Sequence, residues 1–279
     1  MNKRDRRSGW KYAKQSGHEN ENCVKALLDS DLKYQKELMK RLGYPNENII
    51  STSIGGLHET KVTSVLGKTT KSKTDLKIFC KSEKTINISI KKSSHGQVYF
   101  VKAKLFIEVY EKQFHEPIPD EVQRAICLFW AEADDATTII QKFAPNTHLK
   151  SYALQLRHKS LNATTLKAYS EKLYSAMLNW FSDHIYNITK LSFAMGAAKN
   201  STEWSEFIWY INLLGENNLD TIFRIEDICN AATAIAQQAT YYGESNGGTT
   251  IQLPFGFVQW HQSQLQFHHS YEKICNLLK

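Results

Sequence analysis

Residues 74–92 of the chain read TDLKIFCKSEKTINISIKK and contain two strand patterns separated by a polar turn. In 75–80 and again in 86–91, apolar and polar residues alternate with a period of two, and the second run is rich in isoleucine. Such alternation is typical of a half-buried β-strand. The residues between them, 81–84, predict a hairpin turn. The sequence therefore predicts an antiparallel pair of strands with one apolar face and one polar face.

The polar face of this predicted pair carries Asp75 on the first strand and Ser89 and Lys91 on the second. Side chains on one face of neighbouring antiparallel strands lie close enough to interact. We therefore expect these three groups to converge on one small patch of the sheet. A surface role, with Asp75 closing a turn and Lys91 as a solvated edge lysine, is the alternative.

A carboxylate and a lysine at one patch are the groups that phosphodiester hydrolysis requires. The reaction needs a divalent cation to offset negative charge on the phosphate, and a hard cation such as Mg²⁺ prefers oxygen ligands. Asp75 and the backbone carbonyl of Ile90 are the candidate ligands, and Lys91 could orient or deprotonate the attacking water. Glu21, close to the apolar stripe of the first predicted helix, is the candidate for a further carboxylate.

Four segments of the chain follow a known arrangement, and they are Gly17-x-x-x-Glu21 in an early helix, Thr74-Asp75 on a strand, Ser89-Ile90-Lys91 on its neighbour, and the tail Leu253–His261. This arrangement resembles the PD-(D/E)XK nuclease superfamily and, more narrowly, the type II restriction endonucleases. The resemblance covers residues 9–129 and the tail.

The resemblance implies Mg²⁺-dependent hydrolysis of double-stranded DNA at a short, palindromic sequence. It also implies a homodimer whose symmetry mirrors the site, and a cognate DNA methyltransferase as a partner in the cell. In these terms Asp75, Ile90 and Glu21 hold the metal, and Asp75, Ser89, Lys91 and Glu21 form the catalytic set.

Two positions depart from the family pattern. Thr74 stands where the pattern has proline, and Ser89 stands where it has Asp or Glu. A hydroxyl is a weaker metal ligand than a carboxylate, so another acid would have to compensate. The candidates are Glu21, Glu19 and Glu108.

The patterns along the rest of the chain predict an α/β (α+β) fold. We expect a mixed β-sheet over about 49–101 flanked by helices, a helical middle region, and a C-terminal β-hairpin element after a glycine-rich link at 243–248. The helices predicted in the middle region are 103–114, 119–131, 164–188, 202–214 and 225–241. We expect a PD-(D/E)XK-like catalytic core over 1–130 and a region for DNA binding and recognition over 131–279, with a single domain as the alternative.

Polar residues in two places are candidates for DNA contacts. Those around the proposed site are Lys73, Lys77, Lys92 and Ser93, and those in the tail are Gln259, His261, Gln264, Gln266 and His268. Lysine suits phosphate contacts, and glutamine can form two hydrogen bonds to adenine in the major groove. A solvated lysine-rich loop and a polar strand pair that closes the domain are the alternatives.

The bulk composition suits a DNA-binding protein of the cytoplasm. The net charge of +7 attracts polyanions. The five cysteines are widely spread without a Cys-x-x-Cys pair, which argues against a disulfide framework and a cysteine zinc site. The sequence shows no signal peptide and no apolar run long enough to cross a bilayer, so we expect a cytoplasmic protein.

Two other functions remain open at this point. One is a repair or structure-specific nuclease with the same active-site type, and the other is a non-catalytic DNA-binding protein that has lost its acid at Ser89. An RNA-binding protein is disfavoured because no aromatic RNA-binding strand motif is present.

Overall fold

The computed structural model describes residues 6–55, 61–144, 146, 149–215, 218–235, 239–243 and 248–279, and side chains from residue 15 onward. The helices are α1 (Arg6–Ser30), α2 (Leu32–Arg41), α3 (Ala103–Phe114), α4 (Asp120–Phe129), α5 (Ala136–Phe143), α6 (Leu149–His158), α7 (Ala163–Tyr169), α8 (Glu171–Asp183), α9 (Ile185–Lys190), α10 (Ile225–Ala234) and α11 (Tyr271–Leu277). The strands are β1 (Ile49–Ile54), β2 (Lys61–Thr63), β3 (Thr69–Lys71), β4 (Leu76–Cys80), β5 (Thr85–Lys91), β6 (His95–Lys102), β7 (Phe207–Ile211), β8 (Asp220–Arg224), β9 (Thr240–Tyr242), β10 (Thr250–Leu253), β11 (Gly256–His261) and β12 (Gln264–Ser270).

The chain forms two compact units. Unit 1 comprises residues 1–94 and 193–226, and unit 2 comprises 95–192 and 227–279. The boundary predicted at residue 130 does not coincide with this division. The helices α3 and α4, which fall within the predicted core, belong to unit 2.

Unit 1 is built on a five-stranded mixed sheet with the order β1-β4-β5-β7-β8. The central pair β5 and β7 is parallel, and the other neighbours are antiparallel. The apolar residues of β4 and β5 pack with α1 and α2 in one core, whose members include Val24, Leu28, Leu38, Ile78, Ile88 and Trp209. This arrangement confirms the predicted mixed sheet flanked by helices.

Unit 2 combines the helical middle of the chain with a five-stranded antiparallel sheet of order β6-β12-β11-β10-β9. The neighbouring strands β11 and β12 are joined by a turn at Gln262 and Ser263, which both have positive φ. Two-residue hairpins of this kind match the twist of the strands they join. The predicted helical middle and C-terminal β element are therefore confirmed. Residues 244–247 of the glycine-rich link lie outside the described residues.

The helix predicted over 202–214 is wrong. Its centre is the strand β7, and a short 3₁₀ turn, Ser201–Glu203, precedes it. All five residues of β7, FIWYI, are buried because β5 and β8 flank the strand and both faces are covered. A strand buried on both faces shows a continuous apolar run without alternation, so it resembles a helix core in sequence.

Two further expectations need correction. The strand β6 pairs with β12 in the sheet of unit 2 and does not continue the sheet that contains β5. The single helix predicted over 164–188 is divided into α7, α8 and α9. The first break lies at Ser170, whose extended backbone ends α7 and whose hydroxyl accepts a hydrogen bond from the N–H of Leu173 to begin α8.

Among the described helices, none combines the length and the apolar character that crossing a bilayer demands.

The burial of β5 generates a stability prediction. Ile88 is 0% exposed at the centre of the sheet, whereas Ile50 on the edge strand β1 is 67% exposed. We expect Ile88→Ala to lower the free energy of unfolding by about 2–5 kcal/mol, because it leaves a cavity in a packed core. The matched change Ile50→Ala should alter it by less than about 1 kcal/mol. Denaturant unfolding of both variants checks this, and equal losses would contradict the placement of β5.

Candidate active site

The antiparallel pair β4 and β5 brings Asp75, Ser89 and Lys91 together, as the alternation predicts. The pairing is set by the backbone, since Leu76 lies opposite Ile88 and the N–H of Asp75 donates to the carbonyl of Ile88 at 2.9 Å. Asp75 Oδ2 accepts hydrogen bonds from Ile90 N at 2.7 Å and Ser89 Oγ at 3.0 Å. The Asp75 carboxylate therefore has a fixed orientation at the start of β4.

The ammonium group of Lys91 lies among three oxygens at this patch. Lys91 Nζ donates to Ser89 Oγ at 2.6 Å and to the carbonyl oxygen of Ile90 at 2.9 Å, and it lies 3.4 Å from Asp75 Oδ2. Two of these oxygens, those of Asp75 and Ile90, are the metal ligands predicted from the sequence. These three oxygen atoms, of Asp75, Ser89 and Ile90, are called the oxygen cup below, and they already contact a positive charge.

A second carboxylate, that of Glu21 in α1, interacts electrostatically with Asp75 and Lys91. Its side chain is 12% exposed. Burial and, next, the negative charge of Asp75 raise the pKa of Glu21 to about 8, and the positive charge of Lys91 opposes the shift. Nδ1 of His18 lies 3.1 Å from Glu21 Oε2. Two acidic groups from a helix and a strand therefore share one partly desolvated environment.

Asn20 fixes the position of α1 against the sheet of unit 1. Its side chain is fully buried, and its Nδ2 donates to the carbonyl of Ile211 at 2.9 Å while its Oδ1 accepts from the N–H of Leu213 at 2.8 Å. These bonds join the helix to the end of β7 and orient Glu21, the next residue. The sequence interpretation missed Asn20 and His18. Asn20 stands four residues before the buried Val24, and a buried amide on that stripe is the signal that could have identified it.

The donor set of the site fits Mg²⁺. It consists of the carboxylates of Glu21 and Asp75 and the carbonyl oxygen of Ile90, all of them hard oxygen ligands. Mg²⁺ commonly takes one or two carboxylates and completes its coordination with water and phosphate oxygens. Across the residues that the structure describes, no group of three or more His, Cys, Asp or Glu side chains lies together. A site here would therefore leave several positions for water and substrate.

The candidate compensating acids lie in different places. Glu19 is exposed on α1, and Glu108 is exposed on α3 in unit 2. Glu21 is partly buried, and the charge of Asp75 contributes to its raised pKa. The serine at position 89 does not supply a carboxylate but ties Asp75 to Lys91 through its hydroxyl.

The lysines predicted around the site have distinct environments. Burial and the charge of Lys91 lower the pKa of Lys73 to about 7, while Asp75 opposes the shift. Lys77 forms an ion pair with Glu203 at 2.7 Å. Lys92 Nζ donates to Ser16 Oγ at 3.1 Å, and Ser93 follows at an exposed position. A role of Lys77 in phosphate binding would thus compete with its ion pair.

The five candidates of the tail belong to unit 2. Cross-strand pairing places Gln259 opposite Gln266, His261 opposite Gln264, and His268 opposite Phe257, so all five lie on one face of the sheet. The residues that alternate with them, such as Val258, Leu265 and Phe267, are fully buried. The tail hairpin therefore has one core-facing side and one polar side.

Similarity to a known protein is found at the level of structure. No protein-family model matches the sequence, and no curated protein does. A crystal structure of the restriction endonuclease MspI in complex with its cognate DNA matches with a TM-score of 0.41 and 14% sequence identity, over 85% of this chain and 77% of that chain. At this level of similarity the likeness assigns neither a family nor an activity to the chain.

The raised pKa of Glu21 generates a pH prediction. In the unfolded chain Glu21 ionises near 4.5, whereas in the folded chain it ionises near 8. Between these values the folded state holds the extra proton, so the free energy of unfolding falls as the pH rises. In EDTA we expect the wild type to lose roughly 2–4 kcal/mol relative to Glu21→Gln between pH 5 and 8.

The measurement is denaturant unfolding of both chains across this pH range. Glu19→Gln, an exposed acid on the same helix, is the matched control and should follow the wild type. Parallel curves for the wild type and Glu21→Gln would contradict the raised pKa of Glu21, and with it the burial of this carboxyl group near Asp75.

Proposed function

We propose that the chain is a Mg²⁺-dependent endonuclease that hydrolyses double-stranded DNA at a specific sequence, as a type II restriction endonuclease does. The observation that supports this most is the meeting of two carboxylates, a backbone carbonyl and a lysine at one edge of the β4–β5 pair. The basic chain and the resemblance of its motifs to the PD-(D/E)XK nucleases agree with a DNA substrate. A homodimer and a cognate methyltransferase are part of the proposal.

In this mechanism Asp75, Glu21 and the Ile90 carbonyl hold the cation. Mg²⁺, when bound, supplies positive charge that stabilises the negative charge growing on the phosphate during hydrolysis. The N–H of Ile90 and the hydroxyl of Ser89 hold Asp75 in the orientation that this binding requires. Burial and the negative charge of Asp75 raise the pKa of Glu21, and a bound cation would favour the ionised form of Glu21 that metal binding requires.

Lys91 has the catalytic role toward water. Its ammonium reaches the carbonyl of Ile90 and the hydroxyl of Ser89, so it stands beside the ligand oxygens and not within the core. From this position Lys91 would hydrogen-bond the attacking water or the phosphate oxygens and stabilise their charge. Lys73 and Lys92, near the same strands, would bind phosphates on either side of the scissile bond.

A non-catalytic DNA-binding protein is the second candidate function. It is favoured by Ser89, which replaces the usual acid, and by the hydrogen bonds that Lys91 already makes with the oxygens of the cup. Such a protein would bind duplex and leave it intact under any divalent cation.

A cleavage assay distinguishes these functions. Purified chain is incubated with long duplex DNA in Mg²⁺ or in EDTA, and the fragments are separated by size. We expect discrete fragments that require Mg²⁺, and a loss of about 100-fold or more in rate for both Asp75→Ala and Lys91→Ala, since each removes a group needed in the transition state. Lys81→Ala, an exposed lysine of the β4–β5 turn, is the matched control and should retain the rate.

The other outcomes separate the alternatives. Intact DNA with a shifted band on a gel favours the binding protein, and fragments without discrete sizes favour a structure-specific or non-specific nuclease. Cleavage that persists in both variants places the active site elsewhere.

Metal binding has a readout that does not depend on activity. At pH 8, millimolar Mg²⁺ should raise the thermal unfolding midpoint of the wild type, because a ligand that binds the folded state alone stabilises it. The rise should be absent in Asp75→Ala and smaller in Glu21→Gln, and Glu19→Gln should behave as the wild type. An equal rise in all four chains would contradict a metal site at these residues.

A further inference from the structure

Three glutamines on the polar face of the unit 2 sheet form a chain of amide hydrogen bonds. Gln259 of β11 donates through Nε2 to Gln266 Oε1 of β12 at 2.9 Å, and Gln266 Nε2 donates to Gln97 Oε1 of β6 at 3.0 Å. Gln259 Nε2 also lies 3.3 Å from His268 Nε2. The chain runs across three neighbouring strands, and Gln97 was not among the residues predicted from the sequence.

The chain fixes which way each amide points. Gln266 accepts through Oε1 from one neighbour and donates through Nε2 to the other, so its oxygen and nitrogen are oriented from both sides. A carboxamide oxygen has a second lone pair, and its nitrogen has a second hydrogen. Gln97 therefore keeps one acceptor and two donor positions, and the central amide of Gln266 keeps one acceptor and one donor position. This is the pair of groups that binds N6 and N7 of adenine in the major groove.

Aromatic rings flank the amides on the same face. Phe257 and His268 are stacked with their centroids 4.6 Å apart, and Phe100 and His261 lie 5.8 Å apart. Phe100 pairs with Gln266 across the strands, so an apolar edge stands next to the central amide. Apolar side chains contact the methyl group of thymine, the partner of adenine in a base pair.

The charge of this sheet suits a polyanion. None of the five strands β6, β9, β10, β11 and β12 contains an aspartate or a glutamate, although the chain has 28 such residues. Lys102 is exposed at the end of β6, opposite Gln264. Duplex DNA could approach this face without meeting a carboxylate from the strands.

We propose that the polar face of the unit 2 sheet reads A·T base pairs in the major groove, with the amides of Gln266 and Gln97 bound to adenine. The inference rests on the proposed DNA-cleaving function and deepens it by naming the base that is read. Strands laid on a DNA groove are an established mode of base recognition. The competing role for the amide chain is purely structural, in which it ties three strands together.

Selection of bound duplexes from a random library tests the inference. The full-length Asp75→Ala chain is used in Mg²⁺, so that bound DNA stays intact and can be sequenced. We expect enriched sites with invariant A·T pairs. Replacing an invariant adenine by 7-deazaadenine, which lacks only the N7 acceptor, should weaken binding about 5- to 100-fold.

The same selection with added glutamine substitutions separates base reading from a structural role. Gln266→Ala and Gln97→Ala should relax the preference for A·T while thermal unfolding and binding to non-specific DNA change little. Gln141→Ala, an exposed glutamine of α5, is the matched control and should select the same sites as its parent. An unchanged preference in Gln266→Ala, or sites without invariant A·T pairs, would overturn the inference.

Cleavage by the wild type of the selected duplexes distinguishes this inference from the proposed function. Adenine-dependent binding without cleavage would sustain the inference and refute the nuclease. Cleavage at sites whose sequence does not depend on Gln266 would sustain the nuclease and refute the inference. A chain that selects no duplex overturns the inference, and the cleavage assay then decides the nuclease by itself.

Discussion

The electrostatic repulsion between two carboxylates in unit 1 is the interaction that the surrounding fold has to maintain. Glu21 and Asp75 come from a helix and a strand that are distant in sequence, and burial together with the negative charge of Asp75 disfavours the ionised form of Glu21. A protein core gains nothing from such a pair unless a positive charge lies with it. Lys91 supplies part of that charge, and its ammonium group marks the oxygen cup in which a divalent cation would lie.

The surrounding fold fixes the positions of the helix and the strand that carry these two carboxylates. The parallel strand β7 fills the centre of the sheet beside β5, and the fully buried amide of Asn20 joins the end of β7 to α1. The helix therefore has a defined rotation, and the residue after Asn20 faces the start of β4. The apolar core formed by α1, α2 and the sheet supplies the packing that holds these elements together.

The sequence allowed the local parts of the site to be predicted, because they depend on local patterns. Alternation in β4 and β5 has a period of two and a short turn, so the convergence of Asp75, Ser89 and Lys91 follows from the sequence alone. The strand β7 could not be recognised in this way. Its five apolar residues pair with a strand more than a hundred positions earlier, and no local signal separates such a run from a helix. The same limit applies to Asn20, whose partners are backbone atoms of residues 211 and 213, and to Gln97, whose partner is Gln266.

The most direct test of the central claim is to map where a divalent cation binds. Fe²⁺ is added in place of Mg²⁺, and ascorbate with peroxide generates hydroxyl radicals that cut the backbone within a few ångströms of the bound ion. We predict cuts close to residues 21, 75 and 90. Excess Mg²⁺ and the substitution Asp75→Ala should each suppress these cuts. Cuts confined to other parts of the chain, or cuts at these residues that persist in Asp75→Ala, would contradict the claim.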